Sequence, residues 1–149
     1  MRRLKVNNSE MMSEVDRLIS EGQYVTLRTK GSSMLPFIRG DRDNVILVKD
    51  DNFKMYDIAL AEVEKNKFVI HRIVSIYQDQ VTLMGDGNSD SCEICTTDKV
   101  IAIAAKVVDD NGRGFNCRSH WHRFKVRVWW SLLPLRRYLL AIYKLIHRL

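Results

Sequence analysis

Two side chains in this chain have the type and setting that nucleophilic chemistry requires. Ser33 lies in Gly31-Ser32-Ser33-Met34-Leu35-Pro36, a turn-forming stretch followed by Arg39-Gly40-Asp41. Far along the chain, His71 stands in the middle of the strand-like apolar run Val69-Ile70-His71-Arg72-Ile73-Val74. A serine hydroxyl is scarcely ionised at neutral pH and needs a base beside it before it can attack a carbonyl. A neutral imidazole is the side chain whose proton affinity best matches that task. Singly, a Ser-Ser turn is ordinary loop chemistry and a strand histidine an ordinary core residue. As a pair they suggest a serine peptidase.

The elements that would position them can be read from periodicity. Ser9, as an N-cap before Met12, Val15, Leu18 and Ile19, predicts an amphipathic helix ending near Gly22. Tyr24–Thr29 alternates like a strand running into the Gly31-Ser32-Ser33 turn. Further short strands are expected at Asn44–Lys49, Asp57–Val63, Lys67–Ile76, Gln80–Met84 and Val100–Val108. Glu64-Lys65-Asn66-Lys67 and Asp109-Asp110-Asn111-Gly112-Arg113-Gly114 read as turns between strands, the second carrying the Asn-Gly signal. Many short strands joined by turns predict a mainly β (α+β), compact antiparallel fold rather than βαβ units. After Ser119 the pattern becomes helical, over Trp121–Leu132 and again over Leu135–Leu149, with Pro134 suited to a first helical turn. The expected division is an N-terminal helix over 1–22, a β-rich domain over 23–118 and a basic amphipathic tail over 119–149.

Length and composition bound the classes. The 149 residues suffice for a single core without disulfide staples. No run is long and apolar enough for a transmembrane helix, and Met1–Asn8 has no apolar segment behind it, so no secretory signal is expected. Cys92, Cys95 and Cys117 make an odd set, which argues against a disulfide framework and for a reducing, cytoplasmic setting. Cys92-x-x-Cys95 with Cys117-x-x-His120 has zinc-like spacing, but the separation of the halves is only loosely diagnostic, and no metal or other cofactor is expected. The net charge of +6 is unevenly spread: residues 111–149 hold nine Lys and Arg and no acid, leaving −3 on the rest. Such a tail suggests an anionic partner. Trp121, Trp129, Trp130, Tyr138 and Tyr143 among arginines favour a membrane surface contacted through Trp121–Leu149, at the inner face, over packing on the chain's own domain. Nucleic acid ranks third, because no reading motif accompanies the charge.

The serine box itself resembles the Ser-Met-x-Pro motif around the nucleophile of the signal peptidase I and LexA-type serine peptidases, the S24/S26 group. Arg39-Gly40-Asp41 before Val45-Ile46-Leu47-Val48, and Tyr56-Asp57-Ile58-Ala59 with Tyr56 where the family has glycine, are similar to the group's next segments. Val69–Val74 resembles the strand that carries the general base, Met84-Gly85-Asp86-Gly87-Asn88-Ser89-Asp90 the loop beyond it, and Val100–Val108 the strand that follows. The resemblance spans residues 24–108 and implies the compact antiparallel β fold of those peptidases. It implies Ser33 as nucleophile and His71 as base, as in the branch that uses histidine where others use lysine. Asp86 or Asp90, or else Glu93, would orient the imidazole. Backbone N–H groups around Ser32 and Ser33 would form the oxyanion hole, with Met34 and Pro36 pinning the turn and meeting the substrate. The chain departs from the pattern in having Gly31 two positions before the nucleophile, where a hydroxyl is common.

The resulting expectation is a serine endopeptidase that takes an extended peptide or leader segment, bound by strand addition beside the Ser33 strand. A LexA-like self-cleaving regulator, and a non-catalytic peptide- or membrane-binding module on the same scaffold, are the alternatives.

Overall fold

The alternation along residues 24–108 becomes an eight-stranded antiparallel sheet in the computed structural model, which describes residues 9–87, 92–132 and 135–147. The elements are α1 (Ser9–Ser20), β1 (Val25–Arg28), β2 (Asn44–Val48), β3 (Ile58–Glu64), β4 (Lys67–Tyr77), β5 (Gln80–Met84), β6 (Glu93–Thr96), β7 (Val100–Val108), β8 (Gly114–Asn116), α2 (His120–Ser131) and α3 (Arg136–His147). Strand order is β1-β2-β7-β3-β4-β5-β6, with β8 paired to the second half of β7. The architecture is α+β, mainly antiparallel sheet with three helices.

Every strand expected from the sequence forms, within a residue or two at each end. Two more strands, β6 and β8, were not expected. They are four and three residues long, too short for alternation to register, and are defined by the partners they pair with, β5 and β7.

The middle of the sheet is covered on both sides. In β3, Ile58, Ala59, Leu60 and Ala61 are all fully buried, and successive residues point to opposite faces. Ile58 and Leu60 join a core with Leu27, Val45, Leu47, Ala102 and Ala104, onto which α1 lays Met12, Val15 and Ile19. Ala59 and Ala61 join a second core with Ile73, Val81, Leu83, Cys95 and Ile103.

Turn chemistry is where the sequence placed it. Asn66 takes a left-handed φ of 62° between β3 and β4, and Asp109 accepts the Asn111 and Arg113 N–H groups through Oδ1 before β8. Tyr56 also has a positive φ, 74°. That conformation explains why glycine suits the position, and for a bulky residue it stores strain of about 1–3 kcal/mol. The neighbours hold it there. Its N–H donates to Ile73 O at 2.7 Å, and its carbonyl accepts from Arg72 Nη1 at 3.0 Å.

The C-terminal segment forms the two helices expected, in two different settings. Ser119 caps α2 by accepting the His122 N–H, and α2 buries His122 and Val126 against the domain. Asp57, itself buried, accepts hydrogen bonds from both Arg118 and Arg123. The expected preference for membrane contact over intramolecular packing is therefore corrected for one face of α2, which is part of the folded body. In α3, Leu140 is buried while Tyr138, Leu139, Ile142, Leu145 and Ile146 are exposed. Among the described residues no helix is long and apolar enough to cross a membrane.

Candidate active site

Ser33 comes to the site on the loop after β1. Gly31 turns the chain at φ 77°, and Gly40 packs so closely that a Cβ there would lie 1.9 Å from the Gly31 carbonyl oxygen. Only glycine at position 40 permits that approach. From the other side, Gly87 N–H donates to the Ser33 carbonyl at 2.7 Å.

His71 arrives on β4, on which its neighbours Arg72 and Ile73 are also buried. Its Nε2 is 3.1 Å from Ser33 Oγ, and its Nδ1 is 2.5 Å from Glu93 Oε1. These contacts form a continuous Ser–His–carboxylate relay. A carboxylate on Nδ1 holds the imidazole proton there and leaves Nε2 free to accept the hydroxyl proton. The ring is largely shielded, at 8% exposure, which strengthens both contacts relative to open water.

Strand register explains why Glu93, and not Asp86, meets His71. Ile73 pairs with Leu83, which pairs with Glu93. Paired residues share a face, so Glu93 lies on the face of Ile73 and of His71, two residues earlier. Arg72 points to the opposite face and pairs with Met84, two residues before Asp86. The expectation that Asp86 orients the base is thus corrected: Asp86 binds Arg72. Asp90, the other acid expected there, lies outside the described residues. Glu93 could have been favoured over Asp86 only by recognising β6 as a strand in register with β5.

Asp86 nonetheless shapes the site. Arg72 and Asp86 form a two-pronged ion pair, Nε–Oδ1 3.1 Å and Nη2–Oδ2 2.6 Å, with both side chains fully buried. Trp130 Nε1 donates to Asp86 Oδ1 at 3.1 Å, and Trp129 Nε1 donates to the Asp86 carbonyl at 2.8 Å. Arg72 also lies over the Phe37 ring. A buried ion pair persists only when its remaining donors and acceptors are satisfied, and here α2 supplies Trp130 to the carboxylate and Trp129 to the main chain beside it. Asp86 precedes Gly87, so this knot fixes the segment that holds the Ser33 carbonyl.

His122 belongs to the same knot. It stacks on Phe115 with centroids 4.4 Å apart, meets the Phe37 edge, and has Nε2 3.4 Å from Arg72 Nη1. Burial, with the Arg72 charge next, pushes its pKa from about 6.5 down to about 3. The native protein therefore rejects a proton that the unfolded chain takes up below pH 6.5. Stability contributed by this site is intact above about pH 6.5 and falls as pH drops towards 3, by roughly 1.4 kcal/mol per unit. In parallel denaturant melts, acidification from pH 7 to 5 should cost the wild type more than His122→Phe; equal slopes would refute the assignment.

A cleft of about 220 Å³ opens beside the pair, between Thr29–Gly31 on one side and Phe68–Ile70 on the other, floored by Met34 and Ile38. Met34 therefore lines the cleft beside Ser33. Pro36 lies outside that cleft: it lines a separate one with Arg39, Arg42 and Tyr143, and its peptide bond with Leu35 is cis. Among the described residues neither the Ser32 nor the Ser33 N–H donates to another backbone group, which leaves both as candidate donors to an oxyanion. Gly87→Ala would drive a Cβ to 2.5 Å from the Ser32 carbonyl oxygen. In a serine peptidase acting through Ser33, displacing those donors should lower turnover on the order of 100-fold with a far smaller change in melting temperature, checked by paired kinetics and thermal melts.

The cysteines fall into separate surroundings. Cys95 joins one core and Cys117 the other, while Cys92 is exposed. Burial pushes the Cys95 thiol up and the Cys117 thiol up to about 12. No protein-family model and no curated protein matches the chain.

Proposed function

We propose that this protein is a serine endopeptidase of the signal-peptidase-like type, with Ser33 as nucleophile, His71 as general base and Glu93 as the acid that orients it. The observation that carries the reading is the unbroken relay from Glu93 Oε1 through both His71 nitrogens to Ser33 Oγ. In this mechanism Ser33 Oγ adds to the scissile carbonyl as His71 Nε2 takes its proton. The tetrahedral oxyanion is received by the Ser32 and Ser33 N–H groups. His71 then returns the proton to the departing amine, leaving an acyl-enzyme, and a water activated by the same imidazole releases the acid product.

The cleft supports an extended peptide as substrate. It runs between two stretches of backbone and is lined near Ser33 by apolar Met34, Ile38, Phe68 and Ile70. β1, which feeds the serine loop, is an edge strand of the sheet, open to main-chain pairing with a bound segment. At about 220 Å³ the cleft admits small and medium apolar side chains beside the scissile bond. The test is digestion of a pool of synthetic peptides followed by mass spectrometry. Internal cuts following an apolar residue are expected from the wild type and not from Ser33→Ala. Cuts of equal yield from both proteins would overturn the proposal.

A further inference from the structure

The C-terminal helices leave a second, chemically distinct surface. At about 100° per residue, the exposed α3 residues Tyr138, Leu139, Ile142, Leu145 and Ile146 share a single arc. The buried Leu140 lies away from that arc. On α2 the outward strip is Trp121, Phe124 and Val128, all exposed, opposite the buried His122 and Val126. Trp121 and Phe124 stack at 5.9 Å, and Lys125 Nζ lies 5.7 Å from the Trp121 ring.

Charge complements this apolar surface. Residues 111–149 contain no acid, and exposed Arg137 and Lys144 stand together on the side of α3 away from the arc, with Arg137 reaching over the Tyr138 ring. Tyr143 of α3 rims a cleft of about 270 Å³ that gathers Arg39, Arg42 and Arg113, with Asp43 as the one carboxylate among its lining residues. Arg39 Nε is buried there with no partner among the described residues. A helix with large apolar and aromatic side chains on one face and cations on the other suits the boundary between lipid headgroups and acyl chains.

We propose that the outward faces of α2 and α3, with the arginine cleft beside Tyr143, dock the protein on an anionic lipid bilayer. This inference does not rest on the peptidase reading. It is tested by flotation of the full chain with vesicles of phosphatidylcholine alone or mixed with phosphatidylglycerol, using wild type, Leu145→Glu/Ile146→Glu and Arg137→Gln/Lys144→Gln. Wild type should bind the mixed vesicles and scarcely the neutral ones. The glutamate pair should abolish binding, and the glutamine pair should weaken it by roughly fivefold per lost cation, with added salt acting in the same direction. Equal binding to both vesicles, binding to neither, or undiminished binding by the glutamate variant would overturn the proposal. So would a wild-type dimer that this variant disperses without any vesicle binding. All four positions are exposed and remote from the relay in sequence. Hydrolysis of a soluble peptide, measured alongside, should stay at the wild-type level and separates failure of docking from failure of the peptidase reading.

Discussion

Ser33→Ala should lower peptide turnover by about 10⁴–10⁶-fold, with His71→Ala close behind and the double variant no worse than either. The non-additivity is the informative part. Without its base the hydroxyl keeps its proton, and without the hydroxyl the base has no nucleophile to activate, so either loss removes the same step. Glu93→Gln should fall by about 10³–10⁴-fold. Its amide can offer His71 Nδ1 an N–H where the carboxylate offered an acceptor, steering the ring towards the tautomer that cannot accept from Ser33. Stopped assays on one cleaved peptide, with melting temperatures as a folding control, check the series. Wild-type turnover in Ser33→Ala, or additive losses in the double variant, would be incompatible with a shared relay.

Asp86→Ala carries the second large effect, and it acts through structure. Removing the carboxylate leaves the fully buried Arg72 guanidinium with the Tyr56 carbonyl as its remaining oxygen partner among those described. It also strips an acceptor from Trp130. Breaking one side of a buried pair costs about 3–5 kcal/mol, a large fraction of the stability of a domain this size. Arg72→Met combined with Asp86→Leu removes both charges and should recover most of that stability. Turnover should not recover with it, since Gly87 and the Ser33 carbonyl it holds would have lost their anchor. Denaturant melts and kcat measured on the single and double variants separate the two consequences. A double variant restored in both respects would mean that the ion pair has no part in positioning the serine loop.

These two groups of residues differ in how far the sequence reveals them. Ser33 and His71 are legible because each sits in a distinctive local setting, a glycine-flanked turn and an apolar strand. The strands between them are long enough to alternate. Glu93 was only a third choice among the acids, because its role depends on register across three strands and one of them is too short to show a period. Asp86 was misassigned for a related reason. Proximity of the Gly-Asp-Gly loop to the site was correct, but alternation on β4 sends Arg72 and His71 to opposite faces, and the acid follows the arginine. The double character of the C-terminal segment was hidden too. Composition shows aromatic residues among cations, whereas only packing shows that Trp129 and Trp130 turn inward to Asp86 while Trp121 turns outward.

The measurement that bears most directly on the relay is labelling by a fluorophosphonate, which reacts with an activated serine and marks it covalently. The protein should carry one adduct, mapped by peptide mass spectrometry to Ser33, with the rate of labelling sharply reduced in His71→Ala and in Glu93→Gln. Absence of any adduct across the neutral pH range, or an adduct on another serine that forms equally fast without His71, would contradict a nucleophile at Ser33.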